Sequence, residues 1–167
     1  MCKMKKLIAI IAIVLFAAGC VKDAKKCNYV LPTITAPQNE RVAVQNYLAS
    51  KGITASLHPS GMYYTIANAG TGARAEACNT VSIQYTAKLT NDSIFEATPA
   101  GSVYTDRLGA LMPGLQLGVN LVANGGSVIL YIPPALGFGS TPYPNAINPV
   151  IPANSILVYD VSVSSIK

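Results

Sequence analysis

Reactive side chains are scarce in this chain, which has one histidine, His58, and four cysteines among its 167 residues. A single histidine cannot build a His-rich metal site, and any serine or cysteine nucleophile would need His58 as its base. The sequence therefore argues against most hydrolases and predicts neither a metal nor a cofactor. His58 precedes Pro59 in a predicted hairpin, and we expect it to be a surface residue without a catalytic part.

The positive charge of the chain is concentrated at its amino terminus. The formal net charge is +5, but Lys3, Lys5 and Lys6 lie within the first six residues. From residue 20 onward nine Lys or Arg face seven Asp or Glu, a difference of +2. Such a weak balance does not indicate a nucleic-acid partner.

The amino terminus has the layout of a secretory signal. Three lysines precede an apolar run over residues 7–18, and Ala17-Ala18-Gly19-Cys20 ends that run. A helix of this length rises about 18 Å, which is short of a hydrocarbon core of about 30 Å. A signal peptide over residues 1–19 is therefore favoured over a membrane-spanning helix.

The ending Ala17-Ala18-Gly19-Cys20 resembles a bacterial lipobox, although Ala17 stands where leucine is usual. The resemblance implies cleavage before Cys20, acylation of that cysteine and a solvated tether over residues 20–35. More than one acyl chain gives stable membrane anchoring, since each buried methylene contributes about 0.8 kcal/mol. An ordinary cleaved signal followed by an incidental cysteine is the alternative.

Cys27 and Cys78 are then the cysteines left in an exported chain. Because oxidation is usual outside the cytoplasm, we predict a disulfide between them. It would close a loop of about 52 residues and stabilise the fold by roughly 4 kcal/mol. Two unpaired thiols are the alternative, and the lack of a Cys-x-x-Cys spacing argues against redox catalysis.

A helix and a hairpin are predicted at the start of the folded part. Pro37 opens an amphipathic run that ends at Gly52, an order typical of a short helix. Residues 53–69 change to an extended pattern that turns at Ser60-Gly61, which predicts a hairpin. Gly70-Thr71-Gly72 predicts a loop, with neither the third glycine nor the following helix of a phosphate-binding turn.

The second half of the chain has the alternation of a sheet with one buried face. Apolar and polar residues alternate over 81–89, which predicts a half-buried antiparallel strand. Further strands are predicted over 94–97, 127–132 and 156–163, and a helix is predicted over 113–122. Residues 133–152 predict a stiff Pro-rich loop, and loops of this length are usually functional. These elements predict an α+β fold in which a twisted antiparallel sheet wraps around one short helix.

Five sequence blocks resemble, in order, those of FKBP-type peptidyl-prolyl cis-trans isomerases. They are Val81-Ser82-Ile83-Gln84-Tyr85-Thr86, Ile94-Phe95-Glu96, Leu111-Met112-Pro113-Gly114, Pro134-Ala135-Leu136-Gly137-Phe138-Gly139, and the stretch over residues 150–161. The resemblance covers residues 81–167. It implies an FKBP-like isomerase domain over residues 79–167, preceded by an amino-terminal extension over residues 36–78 that holds the helix and hairpin.

The activity that this resemblance implies needs no nucleophile. Rotation about an X-Pro bond has a barrier of about 18–20 kcal/mol, and the twisted amide has less charge separation than the planar one. An apolar pocket that also holds the peptide by hydrogen bonds would therefore stabilise the twisted state. The implied catalytic residues are Tyr85, Phe95, Glu96, Phe138 and Tyr159, and the implied substrate-binding residues are Tyr104, Leu111, Met112, Leu115, Tyr143, Val150 and Ile151.

Several positions depart from the family pattern. Phe138 replaces a tyrosine whose hydroxyl donates to the substrate carbonyl, and Leu115 replaces the larger tryptophan floor of many members. Glu96 replaces an aspartate, and Ala100 and Gly101 stand where the arginine partner of that aspartate is usual. These changes leave the fold intact and predict a reduced catalytic rate.

Three functions remain open from the sequence. The first is a lipid-anchored isomerase that binds proline-containing segments of exported proteins and assists their folding. The second is a binding module that holds such segments without useful turnover, and the third is a purely structural surface lipoprotein. We expect a monomer anchored by lipid to the outer membrane of a bacterial cell envelope, on either the periplasmic or the surface face.

Overall fold

The computed structural model describes residues 27–144 and 150–167. The predicted signal and Cys20 lie outside these residues. The helices are α1 (Gln38–Ser50) and α2 (Pro113–Val119), with 3-10 turns at Leu108–Ala110 and Pro134–Leu136. The strands are β1 (Ser56–Leu57), β2 (Tyr63–Asn68), β3 (Thr71–Arg74), β4 (Thr80–Leu89), β5 (Ile94–Ala97), β6 (Tyr104–Arg107), β7 (Ala123–Asn124), β8 (Ser127–Ile132) and β9 (Leu157–Ile166).

The main sheet is antiparallel, with the strand order β1-β2-β8-β9-β4-β5. Strand β6 pairs with the first half of β4, and β5 pairs with its second half. The long strands β4 and β9 lie side by side at the centre, and their alternating residues bury one face. The predicted α+β architecture is confirmed, including the hairpin of β1 and β2 ahead of the central strands.

Some predicted boundaries differ from the structure. The prediction of a loop at Gly70-Thr71-Gly72 is wrong from Thr71 onward, because β3 begins there and pairs with β7. The partner strand has two residues, too few to produce a periodic pattern. Helix α2 ends at Val119, earlier than predicted, and β9 continues to Ile166.

Two glycines let α2 pack closely against the inner face of the sheet. Gly114 and Gly118 lie four residues apart, so they share one face of the helix. A Cβ at Gly114 would overlap the side chain of Ile132, and one at Gly118 would overlap Leu130. Both contacted residues belong to β8, so the glycine pair sets the distance between the helix and this strand.

Helix α1 covers the opposite face of the sheet. Its buried residues Val44 and Leu48 contact Tyr131 of β8 and Val158 of β9. Pro37 precedes the helix and Gly52 follows it with a φ of +64°, as the proline-first, glycine-last pattern predicts. In the part of the chain that the structure describes, neither helix combines the length and the hydropathy that a membrane span requires.

The predicted disulfide between Cys27 and Cys78 is present, with Cα atoms 5.9 Å apart and a sequence separation of 51. It fastens the segment before α1 beside the turn that leads to α2. In that turn Gly109 donates its N–H to the carbonyl of Ala77 at 2.8 Å, and the Tyr29 side chain occupies the space where a Cβ of Gly109 would lie.

Candidate active site

A cavity of about 330 Å³ opens between α2 and the inner face of the sheet. Strands β4, β5, β6 and β9 contribute to its wall, together with the segment before α2 and the loop after β8. The lining residues are Ile83, Tyr85, Glu96, Tyr104, Ala110, Leu111, Met112, Leu115, Phe138, Tyr143 and Tyr159. The cavity therefore brings together most of the residues that the sequence assigned to a pocket.

Three of the predicted pocket residues do not line the cavity. Phe95 is 1% exposed and lies behind the wall, with its ring centroid 5.9 Å from that of Tyr159 and 6.4 Å from that of Phe138. Ile151 is fully buried in the core, whereas Val150 is exposed. The family resemblance predicts that Phe95 faces the substrate directly, whereas in the structure its ring supports Tyr159 and Phe138 from behind.

The floor of the cavity is built at the start of α2. Leu115 lies in the first turn of the helix and is 6% exposed, and Met112 is the residue that precedes the helix. The buried amide of Gln116 donates to the carbonyl oxygens of Leu111 at 2.6 Å and Gly109 at 3.2 Å. These bonds fix the approach to the helix, so the lining residues before α2 have a defined position.

Aromatic rings form the walls of the cavity. The Tyr85 ring lies 5.7 Å from that of Tyr159 and 6.3 Å from that of Tyr104, measured between centroids. Phe138, which lines the cavity from the loop after β8, stacks on Tyr143 with ring centroids 4.3 Å apart. The backbones of Tyr143 and Ile151 exchange two hydrogen bonds of 2.9 Å, which pair these two segments of the Pro-rich loop.

Glu96 is the charged group of the lining, and a tyrosine orients it. The hydroxyl of Tyr85 donates to Glu96 Oε1 at 2.7 Å. Burial raises the pKa of Tyr85, and its hydrogen bond to Glu96 and the negative charge of Glu96 raise it further. Tyr85 therefore remains a neutral hydrogen-bond donor at physiological pH.

The hydroxyl groups of two further tyrosines belong to the same site. Burial raises the pKa of Tyr159, with smaller contributions from Glu96, Tyr85 and Tyr143. Burial also raises the pKa of Tyr104, whose hydroxyl donates to Asp106 Oδ2 at 3.1 Å. Tyr85, Tyr104 and Tyr159 thus all line the cavity, and of these Tyr85 donates to Glu96 and Tyr104 donates to Asp106.

Sequence reasoning missed two lining residues, Ile83 and Ala110. Ile83 lies two positions before Tyr85 in β4, so the same alternation that selects Tyr85 could have selected it. Ala110 ends the 3-10 turn before Leu111 and has no distinctive side chain. Over the described ranges 27–144 and 150–167, no group of His, Cys, Asp or Glu side chains is arranged to hold a metal ion.

Known proteins share both this fold and this sequence pattern. A probable FKBP-type peptidyl-prolyl cis-trans isomerase of Haemophilus influenzae is 32% identical over 119 residues, which cover 71% of this chain and 48% of the relative. The outer membrane protein MIP of Legionella longbeachae is 30% identical over 110 residues, which cover 65% of this chain and 46% of the relative. The crystal structure of FkpA from Escherichia coli has a TM-score of 0.66 at 27% identity, over 77% of this chain and 60% of that one.

The similarity is concentrated in the part of the chain that builds the cavity. The chain spans about a fifth to about a half of the length of the curated relatives it matches. The family profile described as FKBP-type peptidyl-prolyl cis-trans isomerase matches residues 72–164, more than half of the chain and nearly all of β3 to β9. On this match, the chain belongs to the FKBP-type peptidyl-prolyl cis-trans isomerase family.

Proposed function

We propose that this chain is an active peptidyl-prolyl cis-trans isomerase that assists the folding of exported proteins. The observation that carries the proposal is the cavity of about 330 Å³, open to solvent, with aliphatic and aromatic walls. Its size is at the lower end of the range for small-ligand pockets, which suits a proline ring better than a large ligand.

The chemistry requires only differential binding of the twisted amide. Leu115 at the floor would lie under the proline ring, and the rings of Tyr85 and Tyr159 would face the carbonyl of the preceding residue. The aliphatic and aromatic side chains of the wall favour the twisted amide, because that amide has less charge separation than the planar one. Hydrogen bonds at the edge of the cavity hold the peptide while the bond rotates.

The test is isomerisation of a Suc-Ala-Leu-Pro-Phe peptide by the purified chain. We expect the rate of the slow cis-to-trans phase to increase in proportion to protein concentration, and an excess of a second proline peptide to compete. A rate equal to the uncatalysed one at micromolar protein would overturn the proposal.

A binding module without useful turnover is the second candidate, and Phe138 favours it. A phenyl ring cannot donate the hydrogen bond that the family tyrosine supplies at this position, and Leu115 offers a smaller floor than tryptophan. Saturable peptide binding with an unchanged isomerisation rate would select this candidate over the enzyme.

We also propose that Cys20 carries lipid and anchors the protein at the outer membrane. The support is the sequence around Cys20 and the name of one relative, the outer membrane protein MIP. Metabolic labelling with a fatty acid is the test, with Cys20→Ser as the variant and Cys2→Ser as the matched control. Label should be lost in the first and kept in the second, and label retained by Cys20→Ser would overturn the proposal.

A further inference from the structure

The loop after β8 contains a backbone amide that the loop itself does not satisfy. Pro133 and Pro134 have no N–H, so Ala135 carries the first amide hydrogen after Ile132. Ala135 lies at the start of the 3-10 turn Pro134–Leu136, where an N–H has no acceptor within the turn. Both prolines are buried, so this amide lies next to a part of the loop from which water is excluded.

Helix α1 supplies the missing acceptor. The N–H of Ala135 donates to Glu40 Oε2 at 2.8 Å, across 95 residues of sequence. Glu40 is half-buried and lies in the first turn of α1, and the buried Val44 and Leu48 fasten that helix to the sheet. The amino-terminal helix therefore contacts the loop directly and not only the outer face of the sheet.

The same loop carries one wall of the cavity. The carbonyl of Pro134 accepts the N–H of Gly137 at 2.9 Å and that of Gly139 at 3.0 Å, so the turn and the residues around Phe138 form one compact unit. Leu136 fixes this unit in the core, and Phe138 stacks on Tyr143 at 4.3 Å. A shift of the turn would carry the Phe138 ring with it.

We propose that Glu40 is a positioning residue for the Phe138 wall of the pocket. Its carboxylate fixes the amide of Ala135 through a charge-assisted hydrogen bond, which is stronger than a bond to a neutral acceptor. Helix α1 is then part of the structure that shapes the pocket, and its contact with the loop sets where a bound proline meets Phe138. The expected effect on turnover rests on the proposed function. The effect on the position of the loop does not, and it can be measured in a chain without activity.

The experiment compares Glu40→Ala and Glu40→Gln with two control variants in the full chain. Glutamine loses the charge near the start of α1 but keeps an oxygen acceptor, so it separates the hydrogen bond from the effect of charge on the helix. Gln45→Ala removes an exposed side chain from the same helix, and Val44→Ala weakens the packing of the helix without touching Ala135. The readouts are amide NMR shifts of Ala135, Phe138 and Gly139, peptide affinity, and kcat and KM.

Glu40→Ala should move the amide resonances of the loop and weaken proline-peptide binding by about three- to tenfold. This is a part of the effect of losing one hydrogen bond to a charged group, because the bond acts on the peptide only through the loop. Glu40→Gln should recover most of this loss, and Gln45→Ala should change nothing. Val44→Ala should lower the Tm while the loop resonances and KM stay as in the wild type.

Unchanged loop resonances in Glu40→Ala would overturn the inference. It would also be overturned if Val44→Ala, at the same loss of stability as Glu40→Ala, shifted the loop resonances by the same amount. A wild-type chain that neither binds nor turns over peptide would defeat the proposed function alone. The loop resonances of Glu40→Ala would still decide, in that case, whether Glu40 positions Phe138.

Discussion

The hydroxyl of Tyr85 donates a 2.7 Å hydrogen bond to Glu96 Oε1 across the neighbouring strands β4 and β5. Among the described residues, neither lysine nor arginine forms an ion pair with Glu96. The carboxylate at the edge of the cavity is thus oriented by the neutral phenol of Tyr85 and not by a guanidinium. Burial keeps this phenol protonated, because it raises the pKa of Tyr85.

Replacement of Tyr85 by phenylalanine tests whether this orientation matters. The variant keeps the ring against Tyr159 but leaves Glu96 free to rotate, so we expect kcat/KM to fall by about three- to tenfold with little change in Tm. Isomerisation of a proline peptide and thermal unfolding are the measurements. Tyr47→Phe, in helix α1 on the far side of the sheet from the cavity, is the matched control and should leave kcat/KM unchanged. Wild-type turnover in Tyr85→Phe would show that the bond has no role in catalysis.

The hydroxyl of Tyr159 is the second donor to test, because Phe138, whose ring also contacts Phe95, has none. Tyr159 lines the cavity and is 1% exposed, and burial raises its pKa, so its hydroxyl stays protonated at physiological pH. We expect Tyr159→Phe to lower kcat more than it raises KM, since a bond to the rotating amide is strongest in the twisted state.

Phe138→Tyr is the reciprocal change in the same assay. It adds a donor to the part of the wall that the loop after β8 forms, so it should raise kcat in the wild-type background and restore part of the rate lost in Tyr159→Phe. A Tyr159→Phe variant with unchanged kcat, or a Phe138→Tyr variant that is slower than the wild type, would contradict this division of roles.

The sheet and the pocket differ in how far the sequence predicts them. The alternation over 81–89 identified β4, because one face of that strand is buried and the other is wet. The same rule cannot tell whether an inward aromatic residue reaches the cavity or fills the layer behind it. The family resemblance predicts Phe95 in the wall, whereas the residue lies behind it. That distinction depends on the rings of Tyr159 and Phe138, which come from distant parts of the chain.

Long-range polar contacts had no signal in the sequence at all. The bond between Glu40 and Ala135 joins residues 95 positions apart, and a single glutamate at the start of a helix is ordinary. Gln116 gives a similar example, because its position in α2 favours a buried face but does not reveal that its amide holds Leu111. Such contacts follow from the packed fold and not from local pattern.

Stability should depend on pH through the buried tyrosines. Burial raises the pKa of Tyr159 and of Tyr85 above the ordinary value of 10.0, so the folded state keeps phenol protons that the unfolded chain loses. Their contribution is complete below pH 10 and declines as the pH rises beyond it, because the unfolded state then binds fewer protons. Urea unfolding should give a level free energy from about pH 7 to 9 and a falling one above about pH 10. Tyr159→Phe should reduce that slope, and an identical slope in the variant would contradict the assignment.

Gly118 keeps the distance between α2 and β8 short. Gly118→Ala places a methyl group in the space of the Leu130 side chain. We expect the free energy of unfolding to fall by about 1–3 kcal/mol, which is the usual cost of overpacking a core. Leu130→Ala alone should cost about 2–5 kcal/mol because it leaves a cavity. In the double variant the new methyl group occupies part of that cavity, so the combined loss should be smaller than the sum of the two single losses. Denaturant unfolding of the four proteins measures this coupling, and strictly additive losses would show that Gly118 does not set the distance between the helix and the strand.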